Sequence, residues 1–202
     1  MRKSIMSDLK ESMSDLQVTL YMEELAMHGF GAEVYFNKLT SALASQENNQ
    51  SHIVWLYLST FLAHTAMISK YLKPTGTKDN GKNKVAKDRA KQLKAILKIN
   101  DKAKLLTRNA RDNLEHFDER IDNWIDTGKG VLQMVVDNRE GYEYLSHNKN
   151  IKRVILFKEL IFVSENKDGS KEEVQLRPLF LEVQKISYAA SNWLGSKRSR
   201  VR

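Results

Sequence analysis

Seventeen consecutive residues, Ile53 to Ser69, contain no Asp, Glu, Lys or Arg. Such a stretch must leave water, either for a membrane or for the inside of a folded core. Its length is at the short edge of a bilayer span, and Ser59, Thr60, His64 and Thr65 dilute it. The expectation is therefore a central helix buried on most sides, with no membrane span. The remaining chain can supply the walls around it. Only Pro74 and Pro178 interrupt the 202 residues, and 41% of them are hydrophobic, enough for one sizeable helical core.

Residues 4 to 46 read as helix in two pieces. Ile5, Leu9, Met13, Leu16, Leu20 and Leu25 recur at helical spacing, Gly29 and Gly31 mark a kink or break, and Val34, Leu39, Leu43 and Ala44 continue the pattern. Gln46 to Gln50 is a polar connection. Ser51 can cap the next helix, which runs through the uncharged stretch to Leu72 and stops before Pro74. Lys73 to Lys84 reads as loop, and Val85 to Leu97 as a basic helix with Ala86, Ala90, Leu93 and Leu97 on one face. Asp101 is placed to cap a further helix running to about Asp126. Then the rhythm changes. Val131–Val136 and Val154–Val163 are rich in β-branched residues, and Asp168-Gly169 predicts a hairpin turn before Val174 and Leu176. Pro178 suits the first turn of a last helix carrying Leu179, Val183, Ile186, Ala190, Trp193 and Leu194, with Gly195 as its stop. The predicted fold is mainly α: a bundle of about five helices in a single domain over 1–196. A small antiparallel β insertion, about 131–176, precedes the last helix, and a basic tail covers 197–202.

Several chemistries are excluded. With no cysteine there is no disulfide, thiol nucleophile or thiolate metal centre, which suits a reducing compartment. Met1-Arg2-Lys3 is basic, but Asp8, Lys10 and Glu11 interrupt any apolar leader, so a cytoplasmic location is expected. The five histidines form neither H-x3-H nor HExxH, and His64 reads as a hydrogen-bonded core histidine. Gly76 to Asn83 imitates a P-loop, but Asn83 replaces the magnesium-binding hydroxyl and a helix, not a strand, precedes it. No cofactor and no metal are expected.

Charge is concentrated. Lys73 to Lys104 holds eleven Lys/Arg against Asp79, Asp88 and Asp101, a surplus of eight that equals the net +8 of the whole chain. Lys87, Lys91, Lys94 and Lys98 fall on one side of the basic helix. They are candidates for holding phosphates, against the alternative of a solvated face.

One constellation carries chemistry: Leu105-Leu106-Thr107-Arg108-Asn109-Ala110-Arg111-Asp112-Asn113-Leu114-Glu115-His116-Phe117-Asp118-Glu119-Arg120. On a helix, Leu106, Ala110, Leu114, Phe117, Ile121 and Trp124 form an apolar stripe. Arg108, Arg111, Asp112, Glu115, His116 and Glu119 gather opposite it. Asp112 can orient His116 at four-residue spacing. A histidine able to move a proton, beside a fixed guanidinium, suits RNA cleavage by transesterification. The imidazole takes the 2′-hydroxyl proton while the cation stabilises the phosphorane, and no metal is needed.

This segment resembles the HEPN superfamily, helical domains that include ribonucleases of toxin–antitoxin and antiviral systems. Their signature is Arg, four to six residues, then His, often with a polar residue after the Arg; here it is Arg111-Asp112-Asn113-Leu114-Glu115-His116. The resemblance spans most of residues 15 to 195, with the sheet as an extra. It implies a homodimer in which two motif helices face each other across a two-fold axis, since Arg111 and His116 diverge by about 140° on one helix. His116 would be base or acid, Arg111 the phosphate clamp, Asp112 the orienting group and Arg108 a further RNA contact. RNA would be the partner, together with an antitoxin or regulatory protein. The alternative is a non-catalytic helical module that binds RNA or protein; a third is a membrane-surface protein using the basic segments.

Overall fold

The computed structural model describes residues 13–45, 51–74, 81–106, 132–147, 151–166 and 168–199, together with Asp122 and Ile125. Five α-helices and a four-stranded sheet lie among them. They are α1 (Asp15–Ala44), α2 (Ser51–Leu72), α3 (Gly81–Leu97), a 3-10 turn at Lys104–Leu106, β1 (Leu132–Val136), α4 (Arg139–Ser146), β2 (Ile151–Leu156), β3 (Ile161–Glu165), β4 (Lys171–Gln175) and α5 (Leu176–Arg198). The mainly helical class holds. No helix among the described residues is long and apolar enough to cross a membrane.

α1 is one unbroken helix, not two. Ser14 starts it with a reciprocal cap: its hydroxyl accepts from the Gln17 amide at 3.2 Å, and Gln17 Oε1 accepts from the Ser14 amide at 2.9 Å. Gly29 and Gly31 do not kink it. They let other helices approach its backbone. A Cβ on Gly29 would overlap Ser187 of α5, whose Cα would stand 3.1 Å away, and a Cβ on Gly31 would run into the His64 ring of α2. α1 thus lies against both α2 and α5. Its buried side is Met22, Leu25, Ala32, Phe36 and Leu39, while Leu16 and Leu20 of the expected stripe are exposed.

α2 fills the role predicted for the uncharged stretch. Val54, Leu58, Phe61, Leu62, Ile68 and Leu72 are buried, and Phe61 and Phe180 both pack on Phe36, at centroid distances of 5.3 and 4.2 Å. Ser51 is already its first helical residue. α3 begins at Gly81, four residues before the expected start, and buries Ala90, Leu93 and Leu97. Asp101 caps no helix: it lies in a turn and accepts an ion-paired hydrogen bond from Lys94, while Leu105 and Leu106 enter the main core. α5 seals that core with Leu176, Leu179, Val183, Ile186 and Ala190. Pro178 sits within its first turn, and the helix continues through Gly195 to Arg198. Lys197, assigned to a tail, is helical and pairs with Asp15 at 3.0 Å.

The sheet is mixed rather than antiparallel. Its order is β1-β2-β3-β4, with β1 parallel to β2 and the other pairs antiparallel. A parallel pair needs a crossover, and α4, unforeseen in the sequence, supplies it. The single run expected over Val154–Val163 is two strands joined at Leu160, a non-glycine residue at φ 52°. The hairpin at Asp168-Gly169 is present, with Gly169 at φ 82°. Alternation then sorts the side chains. Ile155, Phe162 and Val174 face the helical core, whereas Val154, Leu156, Ile161 and Val163 pack with Val136 and Tyr142 in a second core.

Two cations, half-buried Arg153 and buried Lys152, tie the sheet down. Arg153 of β2 lies 4.6 Å from the Trp55 ring of α2, and burial lowers its pKa to about 10. Lys152 is buried beside Glu165, which also accepts from Lys171 at 2.7 Å. Burial alone would raise the Glu165 carboxyl; the two lysines outweigh it and hold it below the usual range.

Candidate nucleic-acid interface

The predicted motif residues Arg108, Arg111, Asp112 and His116 lie outside the described residues. What is described is the chain leading into them. α3 turns its buried stripe inward, and Lys87 and Lys91 stand exposed about a quarter-turn round the helix from it. Lys94 is less open and is engaged by Asp101. Lys98 lies just past the helix in the left-handed conformation, φ 54°, and the Ile99 amide donates back to the Lys94 carbonyl at 2.9 Å. This is the backbone of a helix stop normally made by glycine. It swings the chain toward α5.

A cleft of about 470 Å³ opens where it turns. Leu97, Ile99, Ala103 and Ile186 form its apolar floor, and Lys98, Lys102 and Lys185 stand at its sides with Asn100 and Glu182. Glu182 accepts from the Leu105 amide at 2.7 Å, which ties the chain to α5 at that residue. Three cations around a shallow cleft can hold anionic groups at points that a straight lysine stripe cannot reach. Of the predicted lysines only Lys98 belongs to this cleft. Lys102 was visible as part of the basic segment. Lys185 was not, since its α5 neighbours give it no local pattern and only the tertiary fold brings it to α3.

Replacing Lys98, Lys102 and Lys185 together by alanine should weaken RNA binding almost independently of sequence. The dependence of log K on log salt should flatten by up to roughly 0.7 for each single-strand phosphate that the variant no longer holds. Filter binding between low and moderate salt measures it, and an unchanged slope would remove the cleft from the interface.

A second polar cluster lies in the α1–α2 seam. His28 Nδ1 and His64 Nδ1 are 3.0 Å apart, His28 Nε2 is 3.6 Å from Glu24, and the Tyr71 hydroxyl donates to Glu24 at 3.0 Å. Tyr35 stacks on His64 with ring centroids 6.0 Å apart, and Arg89 of α3 stands over the Tyr21 and Tyr71 rings. His64 is hydrogen-bonded, as expected, but at a half-buried seam rather than in the core. Its partner His28 lies 36 residues away, with no local pattern in the sequence to link the two. One ring must donate and the other accept, so the bond fails when both carry two protons.

Burial and the neighbouring His28 hold the His64 imidazole below the usual histidine range. Below about pH 6.5 the unfolded chain then takes up more protons than the folded one, so stability falls as the pH drops through that value. The melting temperature should decline as the pH drops below about 6.5, and His64→Gln should flatten the decline. The same slope in both proteins would exclude this histidine as its cause.

No family model, curated protein or solved structure matches this chain.

Proposed function

We propose that this chain is a metal-independent endoribonuclease of the HEPN type, acting as a cytoplasmic homodimer in a toxin–antitoxin or antiviral setting. The spacing Arg111-Asp112-x3-His116, with polar residues that helical periodicity would gather on one face, carries the proposal. The lysine-lined cleft formed by the chain just before it supports the choice of a polyanion as substrate.

His116 removes the proton from the 2′-hydroxyl, which attacks the adjacent phosphorus. Arg111 balances the charge on the phosphorane, and the 5′-oxygen leaves with a proton returned by an imidazole. Asp112 keeps the His116 ring oriented. The second protomer supplies the group that one helix cannot aim at the same phosphate. The products are a 2′,3′-cyclic phosphate and a 5′-hydroxyl.

Purified protein should cut single-stranded RNA in excess EDTA and leave those ends, which end-group analysis of a labelled oligonucleotide identifies. Cleavage that stops with EDTA would overturn the mechanism. The cleft also favours a second reading, because lysines that hold phosphate need no catalytic partner: tight binding with no cleavage would make the chain a non-catalytic RNA-binding module.

A further inference from the structure

α1 carries a second apolar stripe that faces outward. Leu16, Leu20, Met27 and Phe30 are 69%, 52%, 52% and 66% exposed, and half-buried Val34 continues the row. With Glu23 they follow the alternating four-and-three spacing of a coiled-coil seam. At 100° per residue the row lies diametrically opposite buried Leu25. It runs between the side of α1 that meets α2, through Glu24 and His28, and the side that meets α5, through Ala26 and Glu33. α2 and α5 add exposed Leu56 and Tyr188 next to their own α1 contacts, Tyr57 and Ser187.

We propose that this face is an interface between two copies of the chain, with the α1 helices antiparallel about a two-fold axis. Two features favour a second copy. The first is size. From Leu16 to Val34 the seam is ~27 Å long, and three helix widths of ~10 Å make ~800 Å² per copy, which is what a stable dimer buries on each side. The second is self-matching. Antiparallel pairing centred on residue 25 sets Leu16 against half-buried Val34, Leu20 against Phe30, and Glu23 against Met27, so the same apolar pairs recur on both sides of the two-fold axis. Asp15 and Glu33 border the stripe and Glu23 lies within it, which disfavours an anionic membrane as its occupant. Glu23 is the one polar residue in the seam, and it weakens the pairing as a polar core residue weakens a coiled coil. The proposal shares with the ribonuclease reading only the expectation of a dimer. The contact it assigns rests on α1, α2 and α5 alone, so a dimer indifferent to the α1 variants would count against this proposal and not against that reading.

The full chain should dimerise in sedimentation equilibrium. Leu20→Glu with Phe30→Glu should raise the dissociation constant at least ~100-fold, because four carboxylates, two from each copy, would be desolvated at the seam. Both positions are exposed, so helical content should be kept. Glu23→Leu should act in the opposite direction and tighten the dimer about 10-fold. The chain has no cysteine, so register can be tested directly. Leu20→Cys with Phe30→Cys should form an oxidised dimer, whereas Leu16→Cys with Phe30→Cys should not. A monomer at all concentrations, or a dimer indifferent to the glutamate pair and to Glu23→Leu, would overturn the proposal.

Discussion

His116→Ala should lower RNA cleavage by about 10²–10⁴-fold, the range supplied by a positioned proton-transfer group. Binding should hardly change, because phosphate contacts and not the imidazole hold the strand. The loss should therefore fall on kcat, while alanine at Lys98, Lys102 and Lys185 should act mainly on KM. Arg111→Ala should also act on kcat, and Arg111→Lys should restore only part of it, since an ammonium cannot clamp two phosphate oxygens at once. Single-turnover assays at saturating RNA separate these effects. A His116→Ala protein that cuts as fast as the parent, in a preparation free of other nucleases, would end the assignment of this residue.

Gly29→Val should destabilise the fold by about 3 kcal/mol, the upper part of the usual range for overpacking, or roughly 6–12 °C in melting temperature for a domain of this size. The added carbon would overlap Ser187 Cβ and Oγ, with Ser187 Cα only 3.1 Å away. Ser187 Cα and Cβ are fixed to the α5 backbone, so rotating the hydroxyl away does not relieve the clash and α5 must retreat. Retreat would also lengthen the Ser187 hydroxyl contact to the Ala26 carbonyl, now 3.3 Å. Ser187→Gly should recover part of the stability in the double variant, although glycine inside α5 costs about 1 kcal/mol itself. Urea midpoints of the four proteins form the cycle. A Gly29→Val protein as stable as the parent would show that the helices separate freely.

Much of this fold was legible where one physical demand dominates. The uncharged run Ile53 to Ser69 had to leave water along most of its length, the stripe of α5 ran unbroken, and Asp168-Gly169 supplied the positive φ that a tight hairpin needs. α1 was harder, because it has two apolar stripes and periodicity does not say which one faces the core. Gly29 and Gly31 were read as breakers because a sequence shows their missing side chains but not the Ser187 and His64 that occupy the space. α4 is only eight residues long, and its length conceals the crossover it makes. Leu160 turns a chain of β-branched residues with no Gly or Pro to announce it. For the candidate site, the Arg111–His116 spacing and the lysine stripe were local patterns and therefore readable. The capture of Lys94 by Asp101 depends on a turn, and the place of Lys185 beside Lys98 depends on the packing of α5 against α3.

The pairing of α1 with α5 has a consequence for synthesis. Ser187 reaches Ala26 across 161 residues and Lys197 reaches Asp15 across 182, while each sheet contact is closed over a short span of chain. Long loops are slow to close, so the hairpin of α1 and α2 and the sheet can form early, whereas the docking of α5 comes late. On the ribosome α5 is the last described element to emerge. Until then Met22, Leu25, Phe36 and Phe61 have no lid from Leu179, Val183 and Ile186. The nascent protein therefore carries an open hydrophobic trough through most of translation, a surface on which a holding chaperone would act.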